Sequence, residues 1–302
     1  MWRQRLAARR DGARGFTKSH LFANLAKLGF FGVIALFVLG IIIVPILAFT
    51  LPAPEKVVRQ DGFSTKILDR NGKVLYDIFL DQRRTPVSLD QTPVYIRQAT
   101  ISIEDKNFYK HQGFDPFGMI RGLSRIVTLG RAQGGSTLTQ QLVKNALLTS
   151  EYSILRKVKE FVLAVQIEKK YSKDQILELY LNEIPYGGTA YGVEAASEIY
   201  FGKKAIDLTL VESAILAGIP QRPSVYSPFS STPDAYVARA EQVLRRMRED
   251  GYITREQEDE AKAQLPSVEF QKKEASFKAP HFVQYVQKVL LLLFCRLKML
   301  PQ

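Results

Sequence analysis

The sequence predicts a mainly α-helical protein with a small β-hairpin near its start and one transmembrane helix at its N-terminus. Three observations support this prediction. Residues 28–50 carry no charge, two β-rich runs flank Asn71-Gly72, and most of the later sequence divides into capped or amphipathic helical segments. The chain has 302 residues, 46% of them apolar, so it is long enough to bury one core of ordinary size.

Residues 28–50 are best interpreted as a retained membrane anchor. A helix of these 23 uncharged residues would measure roughly 35 Å, against about 30 Å of hydrocarbon in a bilayer. A cleaved signal peptide usually has a shorter apolar region and a small-residue cleavage site. Residues 1–27 carry seven basic residues and one acidic residue, so we expect this tail to stay in the cytoplasm. Everything after residue 50 is then expected on the outer face.

The charge and the cysteine content narrow the possible functions. The net charge is +12, and half of it lies in residues 1–27. The predicted topology separates the rest of the chain from ATP and chromosomal DNA, and its excess positive charge suits an anionic lipid surface or a phosphate-bearing substrate better than nucleic acid. Cys295 is the one cysteine in the sequence, so no intrachain disulfide can form.

Residues 51–90 are predicted to form a linker and the hairpin. The stretch "LPAPEKVVRQ" at 51–60 indicates a short stiff linker, and Asn71-Gly72 is a strong hairpin turn signal. Helices are predicted after Leu89. Thr92-Pro93 is interpreted as an N-cap followed by proline at the first helical position, in a helix that ends near Glu104.

Helices dominate the segment 91–265, which we interpret as the main domain. Capping boxes predict helices that begin after Thr137, Ser172 and Thr209. The remaining predicted helices cover 154–170, 193–200, 235–250 and 254–264. In the 154–170 helix, apolar residues at the helical spacing predict the core face, and they are Val158, Phe161, Val162 and Val165.

Two stretches before residue 146 have the composition of a binding site. In "EDKNFYKHQGFD" (104–115), two carboxylates lie near aromatic residues and His111, which is typical of a general base if burial or neighbours raise its pKa. In "GGSTLTQQLVKN" (134–145), a glycine-rich turn enters a helix N-terminus, where free N–H groups and hydroxyls favour an anion. Ordinary helix-end polarity and a well-capped surface helix are the respective alternatives.

A third stretch combines Arg156, Lys157 and Glu160 at helical spacing, away from the predicted apolar face. Taken alone, these residues indicate a solvated, ion-paired helix face worth a few tenths of a kcal/mol per pair. The functional alternative places them on a cleft, where the two cations hold a pyrophosphate and Glu160 orients them or a metal ion.

Two kinds of chemistry are excluded by motif. The three histidines and one cysteine follow no zinc-ligand spacing, so no protein metal site is predicted. No serine has a lysine three residues later and no K-T-G occurs, so penicillin-type serine acyl transfer within this chain is excluded.

Five motifs occur in order within about residues 60–290. They are E-D-x-x-F-x-x-H-x-G, G-x-S-T-L-T-Q-Q-L-x-K-N, R-K-x-x-E, S-K-x-x-I-L-E-x-Y-L-N and G-V-x-x-A-A-x-x-Y-F-G-K. Together they resemble the peptidoglycan glycosyltransferases of family 51, the glycan-polymerising domains of class A penicillin-binding proteins and their monofunctional relatives. The later "KAPHFV" favours the class A type, in which a transpeptidase domain follows, so we interpret 266–302 as a truncated linker or tail without that domain.

The resemblance implies a lysozyme-like glycosyltransferase domain that polymerises lipid II into glycan strands, with inversion at the anomeric carbon and release of lipid pyrophosphate. It implies that Glu104 is the base and that Glu160 is a second essential carboxylate near the pyrophosphate. The residues implied to bind substrate or phosphate are Lys144, Arg156, Lys157, Thr137, Gln141, Asn145 and His111.

The same resemblance implies the setting of the protein. We expect a single-pass protein of the bacterial cytoplasmic membrane with its catalytic domain on the outer face. Its expected partners are lipid II, the lipid-linked growing glycan, the membrane and cell-wall synthesis proteins, without nucleic acid. No tightly bound cofactor is expected, and a divalent cation (Mg²⁺ or Mn²⁺) at the pyrophosphate is left open.

Two alternative functions fit the same fold class. A lytic transglycosylase or muramidase would also use one catalytic glutamate, but it would cut glycan and would not need the basic cluster. An inactive membrane-anchored wall-binding protein would not need to retain both carboxylates.

Overall fold

The computed structural model describes residues 24, 27–32, 34, 49–59, 65–72, 74–78, 82–116, 118, 135–148, 153–232, 234–271, 279, 281–286 and 288–289. The chain divides into two compact units, residues 1–51 and 52–302. Most of the predicted anchor at 28–50 lies outside the described residues, although 27–32 are helical. Among the described residues, no helix has the length and apolar character that a membrane span requires.

In the second unit, a 3₁₀ turn (Pro54–Val57) precedes the predicted hairpin. Strands β1 (Thr65–Leu68) and β2 (Val74–Ile78) pair antiparallel, with a register shift between Ile67 and Leu68. Gly72 has a positive φ of 79° in the turn, a conformation that glycine adopts without strain. The hairpin prediction is confirmed. The short strands β3 (Arg83–Arg84) and β4 (Ala190–Tyr191) pair parallel and join distant parts of the chain.

Residues 116, 118, 281–286 and 288–289 are helical, and nine further α-helices have both ends among the described residues of this unit. They are α1 (Val94–Glu104), α2 (Leu138–Ala146), α3 (Ile154–Lys170), α4 (Lys173–Glu183), α5 (Val193–Phe201), α6 (Leu210–Gly218), α7 (Pro223–Tyr226), α8 (Ala235–Glu249) and α9 (Arg255–Gln264). The mainly α class is therefore confirmed. Capping boxes open α2, α4 and α6 at Thr137, Ser172 and Thr209, as predicted.

The predicted start of α1 is wrong by one residue. Pro93 occupies the N-cap position, so it does not form the first helical residue. Thr92 ends the preceding 3₁₀ turn, where its hydroxyl donates to the carbonyl of Leu89 at 2.7 Å. Because the hydroxyl is used in that turn, it does not cap α1.

The core helices of this unit pack in two groups. Helices α1, α6 and α8 pack against one another, and α2 packs against α3 and α4. Glu104, the last residue of α1, contacts Gln141 of α2 and Arg239 of α8, so it lies where the two groups meet.

The buried face of α3 differs from the prediction. Val162 is buried as expected, but Val158, Phe161 and Val165 are only half-buried. The buried stripe instead contains the polar residues Arg156 and Glu160, and it continues through Leu163, Ala164 and Ile167. Apolar periodicity missed this face because two of its members are charged.

Candidate active site

Glu104 is a carboxylate held between two donors. Its side chain is 10% exposed. Gln141 Nε2 donates to its Oε2 at 2.7 Å, and Arg239 Nη2 lies 3.5 Å from its Oε1. Burial raises the pKa of Glu104 above the ordinary value, while the Gln141 hydrogen bond and the Arg239 charge oppose that rise. A carboxylate in this setting is suited to accept a proton near neutral pH.

A buried tyrosine orients the amide that contacts Glu104. The hydroxyl of Tyr180 on α4 donates to Gln141 Oε1 at 3.2 Å, which directs the amide nitrogen of Gln141 toward the carboxylate. Tyr180 and Tyr186 are both fully buried. Burial raises the pKa of Tyr180 well above its usual value, and the nearby Glu104 charge adds to that rise. Tyr180 is therefore a neutral donor.

Asp105 joins the end of α1 to the start of α2. Its Oδ2 accepts from the backbone N–H of Leu138 at 3.0 Å and lies 2.9 Å from His111 Nε2. The hydroxyl of Thr137 donates to the carbonyl of Gly113 at 2.8 Å, which adds a second link between the same segments. These bonds fix the position of α2, and therefore of Gln141, relative to Glu104.

The implied substrate ligands on this side have different surroundings. His111 and Thr137 are largely buried and make the contacts just described. Lys144 is exposed, and its charge acts on Glu104. Asn145 is half-buried and its amide donates to the carbonyl of Gln141 at 2.8 Å. Contact of these residues with substrate stays a prediction.

The second carboxylate, Glu160, is 1% exposed and lies between two cations. Arg156 Nε is 3.1 Å from its Oε1, and Lys157 Nζ is 2.5 Å from its Oε2. The side chain of Arg156 is 8% exposed, so the solvated-face interpretation is wrong for this pair. Lys157 is 54% exposed and presents its ammonium group to solvent. A buried carboxylate thus holds a cation at the protein surface.

Lys157 also connects this cluster to the glycine-rich stretch. Its Nζ lies 3.1 Å from the hydroxyl of Ser136, just before α2. Gln141, which contacts Glu104, lies five residues further along. At 1.5 Å per helical residue, the two contact points, Ser136 and Gln141, are separated by roughly one to two helical turns along the chain. The segment from Ser136 to Gln141 therefore contacts both the cation cluster and the carboxylate that is suited to act as a base.

Three residues of this arrangement were missed by sequence reasoning: Ser136, Tyr180 and Arg239. Arg239 comes from α8, 135 residues from Glu104 in the chain. The sequence did contain a sign that Arg239 is buried, because this arginine lies on the same helical stripe as Val243 and Met247, which are buried. A charge on an apolar stripe requires a buried partner.

The described residues do not form a protein metal site. Among them, no group of three or more histidine, cysteine, aspartate or glutamate side chains is placed to hold a metal ion. Both oxygens of Glu160 are also engaged by cations. A divalent cation held mainly by substrate phosphates stays a prediction.

Comparison with known proteins gives a family match. The transglycosylase family profile matches residues 71–248. Penicillin-binding protein 1A of Escherichia coli K12 is 45% identical over 209 residues, which are 69% of this chain and 24% of that protein. Penicillin-binding protein 1F of Bacillus subtilis 168 is 40% identical over 228 residues, which are 75% of this chain and 31% of that protein.

A solved structure is also similar. The crystal structure of penicillin-binding protein 1A from Haemophilus influenzae matches 78% of this chain and 25% of its own, with 24% sequence identity and a TM-score of 0.41. The chain spans about a quarter to a third of the length of the curated relatives described above.

Proposed function

The chain belongs to the transglycosylase family, and from that premise we propose that it is a membrane-anchored peptidoglycan glycosyltransferase. Its substrates would be lipid II as acceptor and the lipid-pyrophosphate-linked growing glycan as donor. The product would be a glycan strand longer by one unit, together with lipid pyrophosphate. The similarity to penicillin-binding proteins 1A and 1F supports this substrate class.

The observation that carries the proposal is the pairing of one buried carboxylate with a separate cluster of cations. Glu104 is contacted by Gln141 within α2. Arg156 and Lys157 surround Glu160, and Lys157 also contacts Ser136 just before α2. A hydrolase of glycan needs an acid to protonate its leaving sugar oxygen. A pyrophosphate leaving group already carries negative charge, so it needs cations rather than a proton donor.

The proposed reaction is a single displacement. The acceptor 4-hydroxyl attacks the anomeric carbon of the donor, and its proton passes to Glu104. The new bond joins the acceptor oxygen to the anomeric carbon as the bond from that carbon to the pyrophosphate oxygen breaks. The electron pair leaves with the pyrophosphate, where Lys157 and Arg156 stabilise the charge. One displacement inverts the anomeric configuration.

Glu160 has a different role from Glu104 in this scheme. Its oxygens are occupied by Arg156 and Lys157, so it is poorly placed to take a proton from the acceptor. It holds the two side chains in position for the pyrophosphate. A divalent cation at the pyrophosphate is compatible with this scheme, and no step depends on it.

The setting of the enzyme follows from the same proposal. The uncharged segment 28–50 would anchor the chain in the bacterial cytoplasmic membrane, with residues 1–27 in the cytoplasm and the helical unit outside. This position would bring the helical unit to its lipid-linked substrates. Cell-wall synthesis proteins are further expected partners, and the helical domain is expected to be lysozyme-like.

The test is polymerisation of labelled lipid II by the purified full chain in detergent or bilayers. We expect long glycan products from the wild type and a loss of at least about 100-fold in Glu104→Gln, because an amide cannot accept the proton. Cleavage of preformed glycan would instead show a lytic enzyme. Binding to glycan without turnover would show a wall-binding protein. Activity of Glu104→Gln within about tenfold of wild type would remove Glu104 as the base.

A further inference from the structure

We propose that Arg239 is a positioning residue for Glu104, holding the carboxylate in one orientation and in its ionised form before it accepts the acceptor proton. This inference rests on the proposed function for the role of Glu104 as base. The juxtaposition of Arg239 and Glu104 does not depend on it.

The guanidinium of Arg239 is held from several sides. Its side chain is 6% exposed. Its Nε donates to the carbonyl of Gly218 at 3.3 Å, its Nη1 to Gln242 Oε1 at 2.5 Å, and its Nη2 to Glu104 Oε1 at 3.5 Å. The ring of Tyr226 lies 5.7 Å from the guanidinium carbon. The side chain therefore has little freedom to leave Glu104.

The fold makes room for this arginine at Gly218, the last residue of α6. A Cβ atom at position 218 would lie 2.8 Å from Arg239 Cγ, which is closer than real Cβ contacts come. Glycine at the crossing of α6 and α8 therefore lets the arginine stem pass to Glu104. A buried charge that did not reach its partner would be strongly destabilising.

The two donors hold different oxygens of the carboxylate. Gln141 contacts Oε2 from α2, and Arg239 contacts Oε1 from α8. Two contacts from opposite helices restrict rotation of the carboxylate about its last bond. The longer contact at Oε1 is the weaker hydrogen bond. The main contribution of Arg239 is therefore its charge.

Several other charged and neutral groups lie near Glu104, and two of the charged ones shift its pKa in opposite directions. Asp105 is a like charge that raises its pKa, and Lys144 on α2 is an exposed cation that lowers it. Tyr180 and Tyr186 are buried neutral hydroxyls near it. Arg239 is the buried cation in this set. Solvent screens Lys144 far more than Arg239, so of these two cations the loss of Arg239 should change the ionisation of Glu104 more.

Arg239 is itself surrounded by groups that favour its charge or oppose it. Burial lowers its pKa, and the charge of Glu104 is the largest opposing influence. Tyr226 and Tyr180 also favour the charged form, and Arg246 on α8 opposes it. Glu104 and Arg239 each stabilise the charge of the other, so removal of either side chain should shift the pKa of its partner.

The first experiment compares pH profiles of kcat/KM for Arg239→Gln, Arg239→Lys and a control, Arg245→Gln. Arg245 lies on the same helix but is half exposed. In Arg239→Gln, we expect the midpoint of the acidic limb to move up by about one unit, because an opposing cation has been removed. Below the midpoint, that shift is about a tenfold loss of rate. Arg239→Lys should restore part of it, and Arg245→Gln should match the wild type. An unmoved midpoint in folded Arg239→Gln would overturn the inference.

The second experiment does not depend on activity. Thermal midpoints are measured for Arg239→Gln, Glu104→Gln and the double variant, with Arg239→Lys in place of Arg239→Gln if the latter does not fold. We expect the Arg239 change to lower Tm less in the Glu104→Gln background, because no charge is then left unpaired. Additive shifts would overturn the ion pair. A wild type that makes no glycan, with the Tm coupling intact, would overturn the proposed function and the catalytic part of this inference while the pairing stands.

Discussion

Gln141 Nε2 lies 2.7 Å from Glu104 Oε2, and the same amide accepts from the Tyr180 hydroxyl through its oxygen at 3.2 Å. The three residues come from α2, α1 and α4. The orientation of the amide is set at both ends, because its oxygen faces a donor and its nitrogen faces an acceptor. The position of the base therefore depends on residues that do not themselves carry charge.

Replacement of Tyr180 by phenylalanine should lower the turnover number more than it changes KM. The hydroxyl that orients Gln141 would be lost, so the donor to Glu104 would be held less firmly. We expect a fall of about threefold to tenfold in kcat, corresponding to roughly 1 kcal/mol for one net hydrogen bond. Steady-state polymerisation of lipid II measures both constants.

Tyr200→Phe is the matched control for that change. Tyr200 is also buried, and its hydroxyl donates to the Tyr186 carbonyl at 2.7 Å, without contact to Gln141. It should lose a similar amount of stability and keep its kcat. Equal kcat losses in the two variants would show that the Tyr180 effect is general destabilisation.

Substitutions of Lys157 and Arg156 should have similar effects on activity and different effects on stability. Lys157 is half exposed, so Lys157→Ala should change the free energy of unfolding by less than about 1 kcal/mol. If the Lys157 ammonium group binds the pyrophosphate, the rate of polymerisation in Lys157→Ala should fall by at least about 100-fold. Arg156→Ala should lose activity to a similar extent and should also lose stability, by roughly 1–3 kcal/mol, because it leaves Glu160 with one cation instead of two.

The measurement is polymerisation beside chemical denaturation for both variants. Lys159→Ala offers a control, because this lysine lies on the same helix between the two cations and Glu160 in sequence. It should be close to wild type in turnover. Normal turnover in Lys157→Ala would mean that Lys157 on α3 does not take part in catalysis.

The sequence predicted the elements of the site better than their assembly. Capping boxes at Thr137 and Ser172 and the turn at Asn71-Gly72 are local signals, and the structure has them where they were predicted. Arg239 could not be assigned to Glu104, because the pairing joins two helices that are far apart in sequence. The burial of Arg156 and Glu160 was also missed, since charge normally indicates a solvated face.

Gly113 should be intolerant of a side chain. Its φ is +88°, and a Cβ there would lie 3.0 Å from the backbone of Ala164 on α3. Gly113→Ala should therefore lose roughly 2–4 kcal/mol of unfolding free energy, from backbone strain and steric clash together. Gly72→Ala is the control, because φ is +79° but the space is open. It should lose about 1 kcal/mol. Equal losses in a denaturation titration would show that the contact with Ala164 has no cost.

Glu104→Gln should alter the pH dependence of stability in a direction opposite to that of most carboxylates. The folded pKa of Glu104 is raised above the value of 4.5 for an unperturbed glutamate, with burial as the main cause. A raised pKa means that the folded state holds the proton more tightly than the unfolded chain does. The favourable contribution is complete below the unfolded pKa and is lost as pH rises through the folded pKa. Glutamine does not titrate, so the Tm of the variant relative to wild type should increase across that window and then become constant. Thermal melts of both proteins at matched ionic strength, from below pH 4.5 to neutral, measure this difference. A relative Tm that falls across the window would mean that Gln141 and Arg239 outweigh burial, and that the base is already fully ionised well below neutral pH.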